Sequence, residues 1–272
     1  MTAAVTSGFA LTDDELQVVG ERAGVQGFPT VLDVRPRYER VDTLEAAFDA
    51  ATRSLIARGL IADGAIDPDL VPLLRALRRP ERELAMRLVT PDGIARVSVI
   101  RCGASGVVAR RVGNNISLQA ADDAASLSWA THALIGALPR AEAAEVTPVG
   151  APTDIVTRNL IGTHDARLLA DRVRALGAEP RAAMVLGAAL SSRMAFAEIV
   201  YYALCPEQDR FTRRAAAVGV FYTRKGRIVA APSASPSGQL WTTLKPGSDH
   251  AIGQAIRQLV EISTDQWEAS LV

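Results

Sequence analysis

The sequence predicts an α+β protein built on a mainly antiparallel sheet, and three observations carry this prediction. Candidate strands occur in runs joined by short turns, which favours antiparallel neighbours. Candidate helices with one apolar face lie before and after each run of strands. The order of helices, about four strands and one closing helix occurs twice along the 272 residues. This repetition predicts a duplicated unit with pseudo-twofold symmetry.

Three helices are predicted in the first part of the chain. A capping-box pattern between Thr12 and Glu15 begins the first helix, which runs to about Ala23. Apolar residues at helical spacing predict the second helix over 44–55. Asp67 and the proline after it predict the N-cap and the first turn of the third helix.

Strands follow these helices, and turn signals separate them. The turns are Pro-Asp-Gly at 91–93 and Gly-Asn-Asn at 113–115. A short strand is also predicted between the first two helices, and a helix beginning at Asp122 or Asp123 follows the last strand. The predicted strands cover residues 31–34, 83–90, 94–101, 106–112 and 116–119.

Residues 140–152, rich in Ala, Pro and Glu, are predicted to form a loop at the boundary between two halves. Beyond this loop, Lys225 and Gly226 make the turn of a predicted hairpin, and Ser248 caps the last helix. The predicted helices cover 153–160, 164–176 and 180–190, and the predicted strands cover 194–204, 215–223, 227–231 and 239–244.

The repeated order predicts one domain over 1–272, made of two quasi-symmetric halves over about 1–140 and 153–272. A chain of this size buries roughly three quarters of its unfolded surface. It therefore needs neither a disulfide framework nor a structural metal to fold.

Composition excludes several classes of protein. Arg plus Lys and Asp plus Glu both number 30, so the formal net charge is zero, which argues against a dedicated nucleic-acid binder. The arginine pairs at 78–79 and 110–111 are predicted to be the solvated ends of a helix and a strand. The most apolar stretch, 182–205, is interrupted by serines and charged residues, so no membrane span is predicted. Cys102 and Cys205 are predicted to be buried thiols in a reducing, cytoplasmic compartment.

Short catalytic and cofactor motifs are missing from the sequence. It contains no G-x-G-x-x-G, G-x-x-x-x-G-K-[ST], G-x-S-x-G, H-E-x-x-H or C-x-x-C pattern. No catalytic residue, metal or other cofactor is therefore predicted. An enzyme with a site assembled from distant residues stays open as an alternative, and its candidates are Cys102, His132, His164 and Cys205. A self-associating structural protein with an unpaired sheet edge is a second alternative.

Three segments form an ordered pattern along the chain. Residues 28–38 read F-P-x-x-L-x-V-x-P-x-Y after an opening helix at 11–16, and residues 111–116 read Arg-Val-Gly-Asn-Asn-Ile. The tail places the motifs GRI, W, PGS and A-I-x-x-L at Gly226, Trp241, Pro246 and Ala255, with a final tryptophan at Trp267. Together and in this order, they resemble the EspG family of mycobacterial ESX (type VII) secretion.

The resemblance implies the family's fold, a pseudo-twofold, mainly antiparallel sheet flanked by two helical bundles. It also implies a cytosolic chaperone rather than an enzyme. Family members bind the apolar tip of a PPE protein within a PE–PPE heterodimer, keep it soluble and direct it to its ESX machine. The resemblance leaves open a homodimer of the free protein.

The resemblance further implies which residues contact the client, because family members use the sheet, its connecting loops and the C-terminal bundle. Arg22 ends the first helix, where some members have a contacting arginine. The turn of Pro91, Asp92 and Gly93 corresponds to a client-contacting sheet loop, which is short in this chain. A loop after a later strand matches a second contacting loop, with charges that suit a polar rim and an aromatic that suits an anchor. Its candidates are Glu207, Gln208, Asp209, Arg210 and Phe211.

Overall fold

The computed structural model describes residues 8–25, 27–121, 126–205, 207, 209–263 and 266–268. The helices of its first half are α1 (Asp13–Arg22), α2 (Val41–Ala57), α3 (Leu70–Arg78) and α4 (Leu127–Ala137). The strands of this half are β1 (Gly8–Thr12), β2 (Ile61–Ala62), β3 (Ala65–Ile66), β4 (Arg82–Thr90), β5 (Gly93–Cys102), β6 (Ser105–Val112) and β7 (Asn115–Ala120).

The second half repeats this order from a new edge strand to a closing helix. Its helices are α5 (Thr153–Leu160), α6 (Ala166–Ala175), α7 (Pro180–Ser191) and α8 (Asp249–Glu261). Its strands are β8 (Val149–Pro152), β9 (Arg193–Cys205), β10 (Arg210–Thr223), β11 (Gly226–Ala234) and β12 (Leu240–Pro246).

One ten-stranded sheet runs through both halves in the order β1-β7-β6-β5-β4-β9-β10-β11-β12-β8. Its neighbouring strands pair antiparallel, and β4 meets β9 at the centre. The order is symmetric about that central pair, since each strand of the first half has a counterpart in the second. The predicted α+β class and the pseudo-twofold antiparallel sheet are therefore confirmed. The exact limits of the halves, 1–140 and 153–272, stay a prediction.

Helices cover both faces of the sheet, but unevenly. On one face, α4 and α8 pack on the centre, around Tyr201 and Val229. On the other face, α1, α2 and α3 pack over β5 to β7, while α6 and α7 pack over β11 and β12. We call α1–α3 the first bundle and α5–α7 the second bundle. Between the two bundles, the second face of β4 and β9 is only partly covered.

Residues 266–268 return from the end of α8 to the first half. Trp267 is 1 % exposed, and its ring lies 6.1 Å from that of Tyr201. The Arg101 guanidinium donates hydrogen bonds to the carbonyl oxygens of Trp267 and Glu268. The Glu268 carboxylate accepts the backbone N–H of Leu127 at 3.0 Å, at the start of α4.

The helix starts that were predicted correctly are those fixed by a local capping hydrogen bond. Thr12 forms a reciprocal capping box with Glu15, and Ser248 accepts the backbone N–H of Ala251. The start of α4 differs from the prediction, because Ser126 is its N-cap; the predicted Asp122 and Asp123 lie outside the described residues. Asp67 is also not an N-cap, since its carboxylate accepts the Asp69 N–H and the helix begins three residues later.

Two segments differ from the prediction because distant contacts decide their conformation. Residues 31–34 are not a strand: Thr30–Leu32 form a 3-10 turn, and Asp33 adopts a left-handed conformation with φ 53°. The predicted loop 140–152 ends in β8, which pairs with Trp241–Leu244 at the sheet edge. The edge strand β1, which was not predicted, pairs with β7 in the same way at the opposite edge.

Candidate functional site

The partly covered face of β4 and β9 forms the floor of a cleft between the two bundles. Alternate residues point into it, so Glu83 pairs across the strands with Tyr202, Ala85 with Val200, and Arg87 with Glu198. Small, buried Ala85 and Val200 lie at the centre. Glu83 and Glu198 lie two residues either side of that pair, one from each half. We call this surface the cleft floor.

To one side of the buried Ala85 and Val200, the part of the cleft floor around Glu198 is polar and open to solvent. Glu198 accepts a hydrogen bond from Arg213 at 2.9 Å, and their side chains are 43 % and 49 % exposed. Arg87, directly opposite Glu198, is also exposed. Aromatic side chains flank this polar region at both ends of the strands.

A groove of about 360 Å³, which we call the Glu83 groove, lies at one end of the cleft floor. The ring of Phe211 stacks on that of Tyr202, with centroids 5.5 Å apart and planes 14° from parallel. Phe28 lines the same groove from the segment after α1. The groove thus combines three aromatic side chains with one buried carboxyl group.

Glu83 is held at the bottom of this groove in an unusual electrostatic state. It is 2 % exposed, and the Ser98 hydroxyl donates to its Oε1 at 2.6 Å. Burial raises the pKa of Glu83 to about 7, while the hydrogen bond from Ser98 acts in the opposite direction. The pKa of Tyr202 is also raised, first by burial and then by the charge of Glu83.

The loop between β9 and β10 forms the rim of the Glu83 groove. Asp209 adopts φ 44° and pairs with Arg79 at 2.8 Å, where both side chains are more than two thirds exposed. Glu207 and Arg210 are exposed on the same loop, while Gln208 lies outside the described residues. These exposed charges therefore lie beside the groove that the half-buried Phe211 lines, and their contact with a client stays a prediction.

Arg22 is exposed in the last turn of α1, whose end leads into the Gly27–Thr30 side of the Glu83 groove. The close approach of Phe28 to this helix depends on Gly20. A Cβ atom at Gly20 would lie 2.6 Å from the Phe28 ring. Any larger residue at this position would therefore displace the Phe28 ring from its place against α1.

The turn of Pro91, Asp92 and Gly93 does not join this site. It is exposed, and it lies at the opposite end of β4 from the Glu83 groove. There Pro91 lines a second groove, of about 420 Å³, with His164 and the contacting rings of Phe196 and Phe221. Glu83 and Thr90 lie roughly 24 Å apart along β4 at about 3.4 Å per residue, and the two predicted contact loops lie beyond these two residues, so they are farther apart still.

Comparison with known proteins assigns a family to this architecture. The family model described as the EspG family matches residues 12–258 of the chain. The chain belongs to the EspG family. It is 27% identical over 259 residues to "ESX-1 secretion-associated protein EspG1" of Mycobacterium tuberculosis (strain ATCC 25618 / H37Rv), covering 94% of this chain and 87% of that protein. It is 28% identical to "ESX-3 secretion-associated protein EspG3" of Mycolicibacterium smegmatis, covering 92% of this chain and 85% of that protein.

A solved structure shares the fold of this EspG-family chain. It is the Mycobacterium tuberculosis type VII secretion system chaperone EspG5 in complex with a PE25-PPE41 dimer. The TM-score is 0.76 over 94% of this chain and 96% of the other, at 17% sequence identity. The predicted family and its two-bundle fold are therefore confirmed.

Buried ion pairs fix the segment that borders the Glu83 groove in this EspG-family chain. Arg111 donates to Asp13 at 2.6 Å, and both side chains are almost fully buried. The same guanidinium donates to the carbonyl oxygens of Leu32 and Asp33 at 2.9 and 2.8 Å. Arg96 donates to the Asp33 carboxylate at 3.2 Å. The prediction that the 110–111 pair is solvated is therefore wrong for Arg111, whereas Arg78 and Arg79 are exposed as predicted.

The four candidates of the enzyme alternative are dispersed. Cys102 packs against the first bundle, whereas His132 lies on α4 across the sheet, where its Nδ1 donates a hydrogen bond to the Ser128 carbonyl oxygen at 2.7 Å. His164 lines the groove at the Pro91 end. Both cysteines are free thiols, but they are only half-buried, so the prediction that they are buried is wrong. Across the described residues, no group of three or more His, Cys, Asp or Glu is arranged to hold a metal ion.

A membrane-spanning segment was not predicted for this chain. Among the helices of the described residues, none is long and apolar enough to cross a bilayer.

Proposed function

We propose that this chain is a cytoplasmic, non-catalytic chaperone that binds the PPE subunit of a PE–PPE heterodimer. It keeps the client soluble and directs it to its ESX secretion system. The observation that carries this proposal is the EspG family match over residues 12–258. The shared fold with EspG5, solved in complex with a PE–PPE dimer, gives further support.

The cleft floor is suited to this task. Its aromatic ends can cover an apolar tip that would otherwise aggregate, and its exposed charges around Glu198 suit an interface that must later release. A mixed surface of this kind is typical of separable complexes rather than of permanent ones.

Two contact regions follow from the positions of the predicted residues. The main region is the Glu83 groove, with Phe211 as the aromatic anchor and with Arg22, Glu207, Asp209 and Arg210 around it. We extend it to Gln208, which lies on the same loop. Pro91, Asp92 and Gly93 form a second contact region at the far end of the cleft.

Co-expression with the PE–PPE pairs encoded by the host's ESX loci tests the proposal. We expect pull-down and size-exclusion chromatography to yield a soluble 1:1:1 complex with some pairs and not with others. If every pair stays insoluble or unbound while the chain is folded, the proposed function is wrong. The elution volume of the free protein in the same run decides whether it forms a homodimer.

Single substitutions test the contact regions. Phe211→Ala should weaken capture of the client by at least tenfold, because anchor residues carry much of the binding energy of an interface. Trp241→Ala removes an aromatic that is 36 % exposed on β12, three strands away from β9, and should leave capture unchanged. Equal effects of the two variants would remove Phe211 from the interface.

A further inference from the structure

Glu83 is a buried carboxyl group without a cationic partner among the described residues. Its hydrogen bond comes from the neutral Ser98 hydroxyl. Arg213, on the same row of the sheet face beyond Tyr202, pairs with Glu198 instead. The buried Asp13, by comparison, is paired with Arg111 and Arg37. An ionised carboxylate buried without a cation is unfavourable, so proteins rarely keep one without a reason.

The surroundings of Glu83 are those of a site for a cation. Phe28, Tyr202 and Phe211 line the groove through which its carboxyl group is reached. A cation over an aromatic face is attracted to the ring, and the attraction grows when water is excluded. The groove volume of about 360 Å³ lies in the range of sites that take small ligands.

The arginines at the rim of the groove do not prevent a cation from binding beside Glu83. Arg78 and Arg79 are the arginines that line the groove, and both are exposed to solvent. Arg79 is paired with Asp209. Neither arginine is among the groups that shift the pKa of Glu83, so their charges act mainly at the rim of the groove.

We propose that the Glu83 groove is a subsite for a basic side chain of the client, with arginine as the best fit. The guanidinium would donate to the Glu83 carboxylate while its plane stacks on the aromatic side chains. This inference rests on the proposed function, because it assigns the side chain to the bound PPE protein.

Arginine fits better than an apolar anchor for a physical reason. An apolar side chain in the groove would remove Glu83 from its remaining contact with water and leave it unpaired. A guanidinium would neutralise it with charge-assisted hydrogen bonds and favour its ionised form. The raised pKa of Glu83 in the free protein is consistent with a buried carboxyl group that has no cation beside it.

Titration of the free protein with N-acetyl-arginine amide tests the site without a client, with N-acetyl-citrulline amide as the neutral isostere. We expect the arginine amide to shift the NMR signals of the Glu83 carboxyl carbon and of the Tyr202 and Phe211 rings. The citrulline amide should bind at least fivefold more weakly. Glu83→Gln should reduce binding of the arginine amide at least fivefold, while Glu198→Gln should not. Equal binding of both amides, or no effect of Glu83→Gln, would overturn the inference.

The captured PE–PPE pair tests whether the client uses the site. Glu83→Gln and replacement of the client's groove-facing arginine by methionine should each weaken the complex at least fivefold, and the double variant should lose no more than one of them. Additive losses, or an unchanged complex, would contradict the inference. If no pair is captured at all, the proposed function fails, while the amide titration still decides whether the groove binds a guanidinium.

Discussion

The two helical bundles occupy equivalent places in the fold, and both pack apolar side chains on the sheet, but their most constrained contacts differ. The first bundle is tied to the sheet by charges, with Asp13 of α1 in a buried pair with Arg111 of β6. The second bundle depends on shape. A Cβ atom at Gly187 of α7 would lie 2.6 Å from the backbone nitrogen of Ala170 of α6, so these helices meet backbone to backbone.

This difference shows how the two halves of the chain form the same topology although their sequences differ. What the halves share is the order of strands and helices and the alternation of apolar residues that builds each core. What they do not share is their most constrained contact, which joins helix to sheet by charge in the first half and helix to helix by close packing in the second. Removing one partner of a buried ion pair lowers the stability of the protein, whereas a close contact between helices is destabilised by added side-chain volume.

The largest expected effect comes from breaking the charged attachment. Asp13→Ala should lower the free energy of unfolding by about 3–5 kcal/mol, because it leaves Arg111 buried without its partner. Urea denaturation measures the change. The matched control is Asp154→Ala on α5, whose pair with Arg158 is exposed, and it should cost less than about 1 kcal/mol. Similar losses for both variants would show that burial of the pair is unimportant.

The second effect concerns the close contact between α6 and α7 in the second bundle. Gly187→Ala should destabilise the protein by about 2–3 kcal/mol, because its added methyl group meets the backbone of Ala170, which cannot move aside easily. Gly136→Ala on α4, where no atom lies within 4 Å of the added group, should be neutral or stabilising by up to about 1 kcal/mol. A stabilising Gly187→Ala would contradict the close contact.

The third effect compares Glu83 with its counterpart Glu198 and depends on pH. Burial raises the pKa of Glu83 from 4.5 to about 7, so the folded state holds its proton to higher pH than the unfolded state. Stability from this group is therefore present below pH 4.5 and is lost as the pH rises towards 7. Glu83→Gln should restore about 2–3 kcal/mol at pH 8 and much less at pH 5.

The exposed counterpart supplies the control for that measurement. Glu198→Gln, which removes a half-exposed pair with Arg213, should change the free energy of unfolding by less than about 1 kcal/mol at either pH. Guanidinium chloride denaturation at pH 5 and pH 8 compares the two variants. A Glu83→Gln effect of the same size at both pH values would contradict the assignment of the raised pKa.

The smallest effect is expected from the residues of the enzyme alternative. Replacing Cys102, His132 and Cys205 together by alanine should leave client capture unchanged within twofold, because they lie in separate parts of the fold and outside the two grooves; His164 is kept, since it lines the groove at the Pro91 end. Pull-down with a captured PE–PPE pair measures this. A complete loss of capture by a variant that remains folded would reopen the question of a shared site.

Much of the fold could be predicted because its signals are local. The capping box at Thr12 and the tight turn at Gly93 act within a few residues of themselves, and both lie where they were expected. The conformation of Thr30–Leu32 could not be predicted this way, because Arg111, far along the chain, holds the carbonyl oxygen of Leu32. The four-residue strand β8 exists only through its pairing with β12.

Only some residues of the candidate site could be predicted from the sequence. Phe211 was identified from its loop, but Glu83 was missed, because a glutamate in a strand usually faces water. Its burial depends on Tyr202 across the ladder and on Phe28 from another part of the chain. The resemblance implied two contact loops, and the antiparallel pairing of β4 with β9 sends their hairpins to opposite ends of the sheet.

The return of residues 266–268 to the first half has a consequence for how the chain folds during synthesis. These residues leave the ribosome after every other described residue, yet they hold Arg101 and the start of α4, which are made much earlier. When the first half has been synthesised, neither Tyr201 nor Trp267 has been translated, so the contact between their rings cannot yet form. The two halves should consequently not behave as independent folding units: the first one made is completed by the residues made last.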